Sequence, residues 1–254
     1  MSPIAISLLA FASVFGGALL GMFLRSLLPE HHLSADSQDV MKLGIGMIAT
    51  MAALVLGLLI SSAKGTFDTM DSELINAGSK IILLDRTMAR YGLETREARD
   101  ILRRAVITTI ERTWPAERDA IAVEKVGQRK IGVEDVEEKL RQLSPRNTDQ
   151  SWLQWRAIQL SGEISEARWL LIEQVGHGSL PMPFLALLIC WLAITFTGFG
   201  LFTSHNTTVI VVLFVCALSA TSSLFLILEL DQPYGGLIKV SSAPLLNALA
   251  HLGQ

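Results

Sequence analysis

One apolar stretch contains the strongest candidates for a functional role, because small or hydroxylated residues recur in it every three or four positions. They are Gly46, Thr50, Ala53, Gly57, Ser61 and Lys64, with Asp68 one turn further on. In an α-helix this spacing places the side chains on one face, while the other positions are mostly Leu, Ile, Met and Val. Inside lipid such a face has two uses, and the sequence leaves both open.

The first use is close packing of helices, because small residues let backbones approach and hydroxyl groups bond across the contact. The second is the lumen of a homo-oligomer, with one such helix from each subunit around a common axis. That arrangement predicts a narrow pore that ends in a ring of Lys64 on the cytoplasmic side. A lysine ring attracts anions, and constrictions of small apolar residues can gate by dewetting. The two uses can coexist on adjoining faces.

Two further carboxylates, Glu229 and Asp231, follow the last long apolar stretch and are expected at the level of Lys64. We expect these carboxylates to form either an ion pair with Lys64 or a cation site completed by carbonyl groups of the turn at residues 233–236. Asp68 is a third candidate for this cytoplasmic ion pair or ion site.

Catalytic signatures are missing from the sequence, which contains no HExxH, GxSxG, Walker or GxGxxG motif. Glu30, His31 and His32 form a local cluster, which indicates solvated surface rather than a metal site because no further ligand accompanies it. Cys190 and Cys216 fall inside apolar stretches, which excludes a disulfide framework or a cysteine zinc site in the polar segment. We therefore expect a protein that is not an enzyme, with no cofactor, metal or nucleic-acid partner.

The distribution of charge along the chain predicts the helices that carry these residues. The 254 residues are 50% hydrophobic and 18% charged, so the two populations must be segregated along the chain. Four charge-free stretches are long enough to cross a hydrocarbon core of about 30 Å. They are residues 1–24, 43–63, 178–204 and 206–228. Because Arg25 follows the first stretch instead of preceding it, we predict a retained anchor rather than a cleaved signal.

The predicted fold is an all-α polytopic membrane protein with four transmembrane helices. Residues 1–63 hold the first two spans, 64–177 a cytoplasmic helical domain, 178–230 the last two spans, and 231–254 a cytoplasmic C-terminal segment. Orientation follows from the positive charges close to the span ends. One side carries Lys64, Lys80, Arg168 and Lys239, and the other carries Arg25 and Lys42. This bias places both termini and the central domain in the cytoplasm.

Helical periodicity continues beyond the second span, and no strong breaker occurs before Tyr91 and Gly92. We expect one helix to run from the membrane to that point, followed by helices over residues 94–113, 133–143 and 149–175. The last of these places Trp155 and Trp169 on one side. The apolar C-terminal segment is expected to lie in the membrane interface or against the cytoplasmic helices. In the first span, Gly17 and Gly21 have GxxxG spacing, which favours helix packing.

Three segments carry a resemblance to a known family. They are LVLGLLISSAKGTFD, IILLDRTMARYG and LFLILELDQPYGGLI. Together with the order of two spans, a polar helical domain and two more spans, they make the chain resemble uncharacterised bacterial bestrophin-like membrane proteins. The resemblance implies a homo-oligomeric, anion-permeable channel of a bacterial inner membrane, with the second span around the central axis and the cytoplasmic helices extending the pore. Small anions and the lipid bilayer would then be the partners of the protein.

A different hypothesis is a non-enzymatic membrane scaffold or signalling protein that recruits a partner through its cytoplasmic helices. It is favoured by the lack of any charged residue deep inside a span, because permeation and coupling sites commonly contain one.

Overall fold

The protein is described by a computed structural model that covers residues 2–27, 35–115, 132–176, 182–203 and 206–253. Within these ranges the regular structure is entirely helical, which confirms the predicted all-α class. The α-helices are α1 (Pro3–Leu27), α2 (Ala35–Tyr91), α3 (Arg96–Thr113), α4 (Val133–Arg141), α5 (Thr148–Gly176), α6 (Met182–Leu201), α7 (Thr207–Leu230) and α8 (Ala243–His251). The predicted cluster at residues 30–32 lies outside the described residues.

Four of these helices are long and apolar enough to cross a membrane, as predicted. They are α1, α2, α6 and α7. The second is a single helix of 57 residues, about 85 Å at 1.5 Å per residue. It ends at Tyr91, where the sequence predicted its end, because Gly92 adopts a φ of 134° that side-chain-bearing residues rarely take.

Contacts within the chain divide it into two compact units. The apolar unit contains residues 1–67 and 178–238, and the polar unit contains residues 68–177 and 239–254. The long helix α2 belongs to both units, since it continues without a break past residue 67. The C-terminal helix α8 belongs to the polar unit.

Close contact between α1 and α6 organises the apolar unit. A Cβ atom added at Gly21 would overlap the carbonyl oxygen of Thr197, and one added at Gly200 would overlap that of Ala18. Gly17 faces the same helix, with α6 backbone and side-chain atoms 2.9 Å from an added Cβ. Only glycine allows two helix backbones to approach this closely, so the predicted role of the GxxxG pair in packing is confirmed.

The polar unit has its own core, formed by large apolar side chains from α2 to α5. Its most deeply buried members are Leu84, Met88, Leu102, Ile110, Leu140 and Leu160. The C-terminal segment closes this core: the Trp114 indole Nε1 donates a buried hydrogen bond of 2.9 Å to the carbonyl oxygen of Val240. The carbonyl oxygen of Pro244, in α8, lies 2.9 Å from an ideal Cβ at Gly78. Of the two predicted locations for the C-terminal segment, contact with the helices of the polar unit is therefore observed.

The side of α5 that carries tryptophans is not the buried side. Trp155 and Trp169 are each 59% exposed, whereas Ala157, Leu160 and Ile164 are buried. The helix therefore packs through small and aliphatic residues and leaves its aromatic positions outside the core of the polar unit.

Candidate functional site

The small-residue face of α2, defined as Gly46, Thr50, Ala53, Gly57, Ser61 and Lys64, is exposed along its whole length. An ideal Cβ built at Gly46 or Gly57 would have no heavy atom within 4 Å. The hydroxyl group of Thr50 donates to the carbonyl oxygen of Gly46 on its own helix, at 2.8 Å. Within the described residues, the small side chains of this face are therefore not required for packing.

Much of the remaining α2 surface in the apolar unit is also uncovered. Only 6% of the residues in the most apolar stretch of α2 are buried, against 28% to 39% of the residues in the corresponding stretches of α1, α6 and α7. Large apolar side chains adjoin the small-residue face and are 52% to 72% exposed: Leu43, Met47, Met51, Leu54 and Leu58. The helix contacts the rest of its unit through the opposite side, where Ala52 and Ala63 are 1% exposed. Two adjoining faces of α2, one small and one large, are thus available to lipid or to another chain.

Lys64 and Asp68 are both exposed at the end of the small-residue face. The Lys64 ammonium lies 6.0 Å from the centroid of the Phe67 ring, at the outer limit of a cation–π contact. The face therefore changes from small and hydroxylated side chains to a fixed charge at the point where α2 leaves the apolar unit.

The Glu229 carboxylate is buried, with 3% of the residue exposed. Its Oε2 accepts a hydrogen bond of 2.5 Å from the backbone N–H of Leu237. The same oxygen occupies the space that a side chain at position 236 would need, so Gly236 is required for this approach. A carboxylate that accepts from the backbone holds the turn after α7 in place. Asp231 forms the C-cap of α7, and its backbone N–H donates to the Ile227 carbonyl oxygen.

The structure also contains a buried ion pair, between Asp85 and Arg99, that was not predicted from the sequence. Arg99 Nε and a terminal nitrogen donate to the two oxygens of Asp85 at 2.7 and 2.8 Å. Asp85 is 1% exposed, and its Oδ2 also accepts from the backbone N–H of Gly253 at 3.3 Å. The hydrogen bond to Asp85 raises the pKa of Arg99. The sequence contains one signal for this pair. Asp85 is a lone carboxylate on the apolar, helically spaced side of α2, and a buried charge needs a partner.

At the end of α2, burial raises the pKa of the Tyr91 phenol, and the negative charge of Glu94 acts in the same direction. The Gln150 side-chain amide donates to the backbone carbonyl of Tyr91 at 3.0 Å. These contacts attach the end of α2 to the start of α5. Among the described residues, no group of three or more His, Cys, Asp or Glu is arranged to hold a metal ion.

Comparison with known protein families assigns the chain to one of them. The family model described as the bestrophin-like domain matches residues 12–245. The chain belongs to the bestrophin-like family. This assignment confirms the resemblance found in the sequence, and the family is generally non-enzymatic.

A solved structure of the same fold comes from a bacterial bestrophin homologue. The crystal structure of a mutant of this homologue from Klebsiella pneumoniae superposes with a TM-score of 0.53 at 16% sequence identity, covering 98% of this chain and 97% of that chain. At this identity the likeness establishes the fold alone. No curated protein matches the sequence.

Proposed function

We propose that the protein is a homo-oligomeric, anion-permeable channel of a bacterial inner membrane, in which α2 lines the pore. The family to which the chain belongs is a family of channels. The observation that carries the proposal is the exposure of the small-residue face of α2 over its whole length. A helix inside lipid gains nothing from a row of small and hydroxylated side chains unless a neighbour or water lies against it.

A ring of subunits accounts for both exposed faces of α2. The small-residue face would point to the axis, and the adjoining Leu and Met side chains would pack against the next subunit. Such head-to-tail contacts close into a ring when the rotation between subunits permits it. Lys64 from each subunit would then form a basic ring that attracts anions and repels cations.

Liposome flux measurements test this proposal. Purified wild-type protein is expected to pass chloride, and Lys64→Glu is expected to reduce the anion-to-cation permeability ratio strongly. Lys239→Glu is the matched control, because Lys239 is exposed but lies outside α2. If wild-type vesicles pass no small anion, the channel proposal is lost.

The subunit arrangement is tested separately by imaging the detergent-solubilised particle. Rotational symmetry with a hole on the axis, and with α2 nearest that axis, is expected. The proposed orientation has both termini and the polar unit in the cytoplasm, because Lys64, Lys80, Arg168 and Lys239 flank the spans on that side. An epitope in the polar unit that antibodies reach on intact cells would overturn that orientation.

A second candidate function is a membrane scaffold that recruits a partner through the polar unit. The supporting observation is a set of exposed tryptophans on α5, since Trp152, Trp155 and Trp169 are each 59% exposed. Exposed tryptophans are enriched at the centres of protein interfaces. Full-length protein purified under mild conditions would then retain one stoichiometric partner. The double variant Trp152→Ala, Trp155→Ala would no longer retain that partner. Under this hypothesis neither the wild-type protein nor the double variant would conduct anions.

A further inference from the structure

The loop after α7 folds back onto the end of that helix. Since α7 has 24 residues, it is about 36 Å long at 1.5 Å per residue and exceeds a hydrocarbon core of about 30 Å. Its last turn, which contains Glu229, then lies at the boundary between acyl chains and headgroups. Because Glu229 Oε2 accepts from the Leu237 N–H at 2.5 Å, Leu237 is held at the same boundary instead of extending into water.

The side chains that this loop presents are apolar and uncovered. Leu237 is 79% exposed and Ile238 is 38% exposed. Both residues belong to the apolar unit, whereas the chain from Lys239 onward belongs to the polar unit. Adjacent aliphatic side chains that the backbone holds in an exposed position indicate a contact with something outside the described chain.

An exposed face of α7 leads to this loop. Its members recur every three or four residues and are all exposed: Val211, Val215, Leu218, Ser222 and Leu226. The Ser222 hydroxyl donates to the carbonyl oxygen of Leu218 at 2.7 Å, so it needs no other partner. The next position on the face is Glu229, which is buried and accepts from the loop. At the end of an apolar face, the loop therefore presents Leu237 where the helix itself has a carboxylate.

We propose that Leu237 and Ile238 form an interfacial anchor, which inserts into the headgroup–acyl boundary of the lipid bilayer and fixes the depth of α7. The occupant is phospholipid and not a second copy of the chain, because the loop continues a charge-free apolar face, whereas the edge of a protein–protein contact is polar. Segments that lie in the membrane interface present aliphatic side chains at this depth. The anchor does not depend on the proposed channel function or on the orientation of the chain.

Fluorescence quenching of a polarity-sensitive probe in phospholipid vesicles tests the anchor. In the full-length protein both native cysteines, Cys190 and Cys216, are replaced by alanine, and Leu237→Cys is labelled with the probe. A nitroxide near the lipid headgroup should quench this probe more strongly than a nitroxide near the bilayer centre. Aqueous iodide should quench it about tenfold less than a probe in water, because burial of a leucine-sized apolar side chain favours the inserted state by about that factor.

Two labelled positions calibrate the measurement. Arg103→Cys places the probe at an exposed position of the charged helix α3, where iodide should quench it fully. Leu218→Cys places it at an exposed position in the middle of α7, where the nitroxide near the bilayer centre should be the stronger quencher.

A pair of glycine variants tests whether the contact with Glu229 holds the loop. A Cβ atom at Gly236 would overlap Glu229 Oε2, so Gly236→Ala should displace the loop and raise iodide quenching at position 237 towards the value at position 103. Gly235→Ala is the matched control. The heavy atom nearest to its Cβ position, Gln232 Oε1, is 3.9 Å away, so the probe should stay protected.

The outcomes separate lipid, water and protein as the surroundings of the loop. If iodide quenches the probe at position 237 as strongly as the probe at position 103, the loop lies in water and the anchor is refuted. Protection from iodide without quenching by either nitroxide also refutes it, because protein, such as a second copy of the chain, would then cover the loop. If the probe is quenched from the lipid but Gly236→Ala leaves it protected, the hydrogen bond to Glu229 does not position the anchor.

Discussion

Replacing Arg99 by alanine should destabilise the polar unit more than replacing its partner Asp85. The reason is the unequal burial of the two side chains: the Asp85 side chain is 2% exposed and that of Arg99 is 23% exposed. Without Arg99, a buried carboxylate is left with the backbone N–H of Gly253 at 3.3 Å. Without Asp85, the guanidinium can turn towards water.

The magnitudes follow from these geometries. Leaving one member of a buried pair unpaired costs about 3–5 kcal/mol, and the partial exposure of Arg99 places Arg99→Ala near the lower end, at about 3 kcal/mol. Asp85→Ala loses the two hydrogen bonds from Arg99 and the longer one from the exposed Gly253 N–H but strands no buried charge, so about 1–2 kcal/mol is expected. The double variant should resemble Asp85→Ala, because removing both partners leaves no unpaired charge.

Thermal unfolding in detergent, followed by tryptophan fluorescence, measures these differences. Four of the five tryptophans, Trp114, Trp152, Trp155 and Trp169, belong to the polar unit, so the signal reports chiefly on that unit. For a unit of this size about 1 kcal/mol corresponds to roughly 4 °C in Tm. Arg99→Ala should therefore lower Tm by about 12 °C and Asp85→Ala by about 4–8 °C.

The control is Arg103→Ala, an exposed arginine on the same helix, which should shift Tm by less than about 2 °C because surface substitutions stay within about 0.5 kcal/mol. If Arg99→Ala shifts Tm no more than this control, Arg99 does not neutralise a buried carboxylate. If Asp85→Ala lowers Tm more than Arg99→Ala, the unequal burial of the two side chains does not set the cost of losing each one.

Three other perturbations have clear expected outcomes. Gly21→Leu should prevent close contact between α1 and α6 and yield aggregated protein in size-exclusion chromatography, whereas Gly16→Leu should elute like wild type because nothing lies within 4 Å of its Cβ position. Trp114→Phe loses the hydrogen bond to Val240 and should destabilise by about 1–2 kcal/mol, with faster proteolysis of the C-terminal segment as the readout. The pKa of Tyr91 is raised in the folded protein. Its contribution to stability is therefore fully present below about pH 10, the pKa of tyrosine in the unfolded chain, and is lost as pH rises above it. Tyr91→Phe should flatten this alkaline fall in Tm.

Several features of the fold could be predicted because they depend on neighbours in the sequence. Charge-free stretches of sufficient length predicted the four spans. The lack of a breaker before Gly92 predicted the uninterrupted α2, and the GxxxG spacing predicted the glycines that let α1 approach α6. In each case the determining property is local: hydrophobic length, helical period or the missing Cβ of glycine.

The candidate site was predicted only in part. Helical spacing alone predicted that the small residues of α2 share a face, but it could not tell whether that face packs against other helices of the same chain. Glu229 was expected to pair with Lys64 or to bind a cation, and the hydrogen bond from the Leu237 amide was not foreseen. This contact depends on how the turn after α7 folds back over the carboxylate.

The division of the chain into apolar and polar segments, and the helices that follow from it, can be read from the sequence, because hydrophobic length and helical period are properties of neighbouring residues. Which side of each helix is covered depends on tertiary packing. The small-residue face of α2 and the tryptophans of α5 are left exposed, while Asp85 is buried against Arg99. Burial depends on contacts between residues far apart in the chain, and no local pattern specifies the partner that provides them.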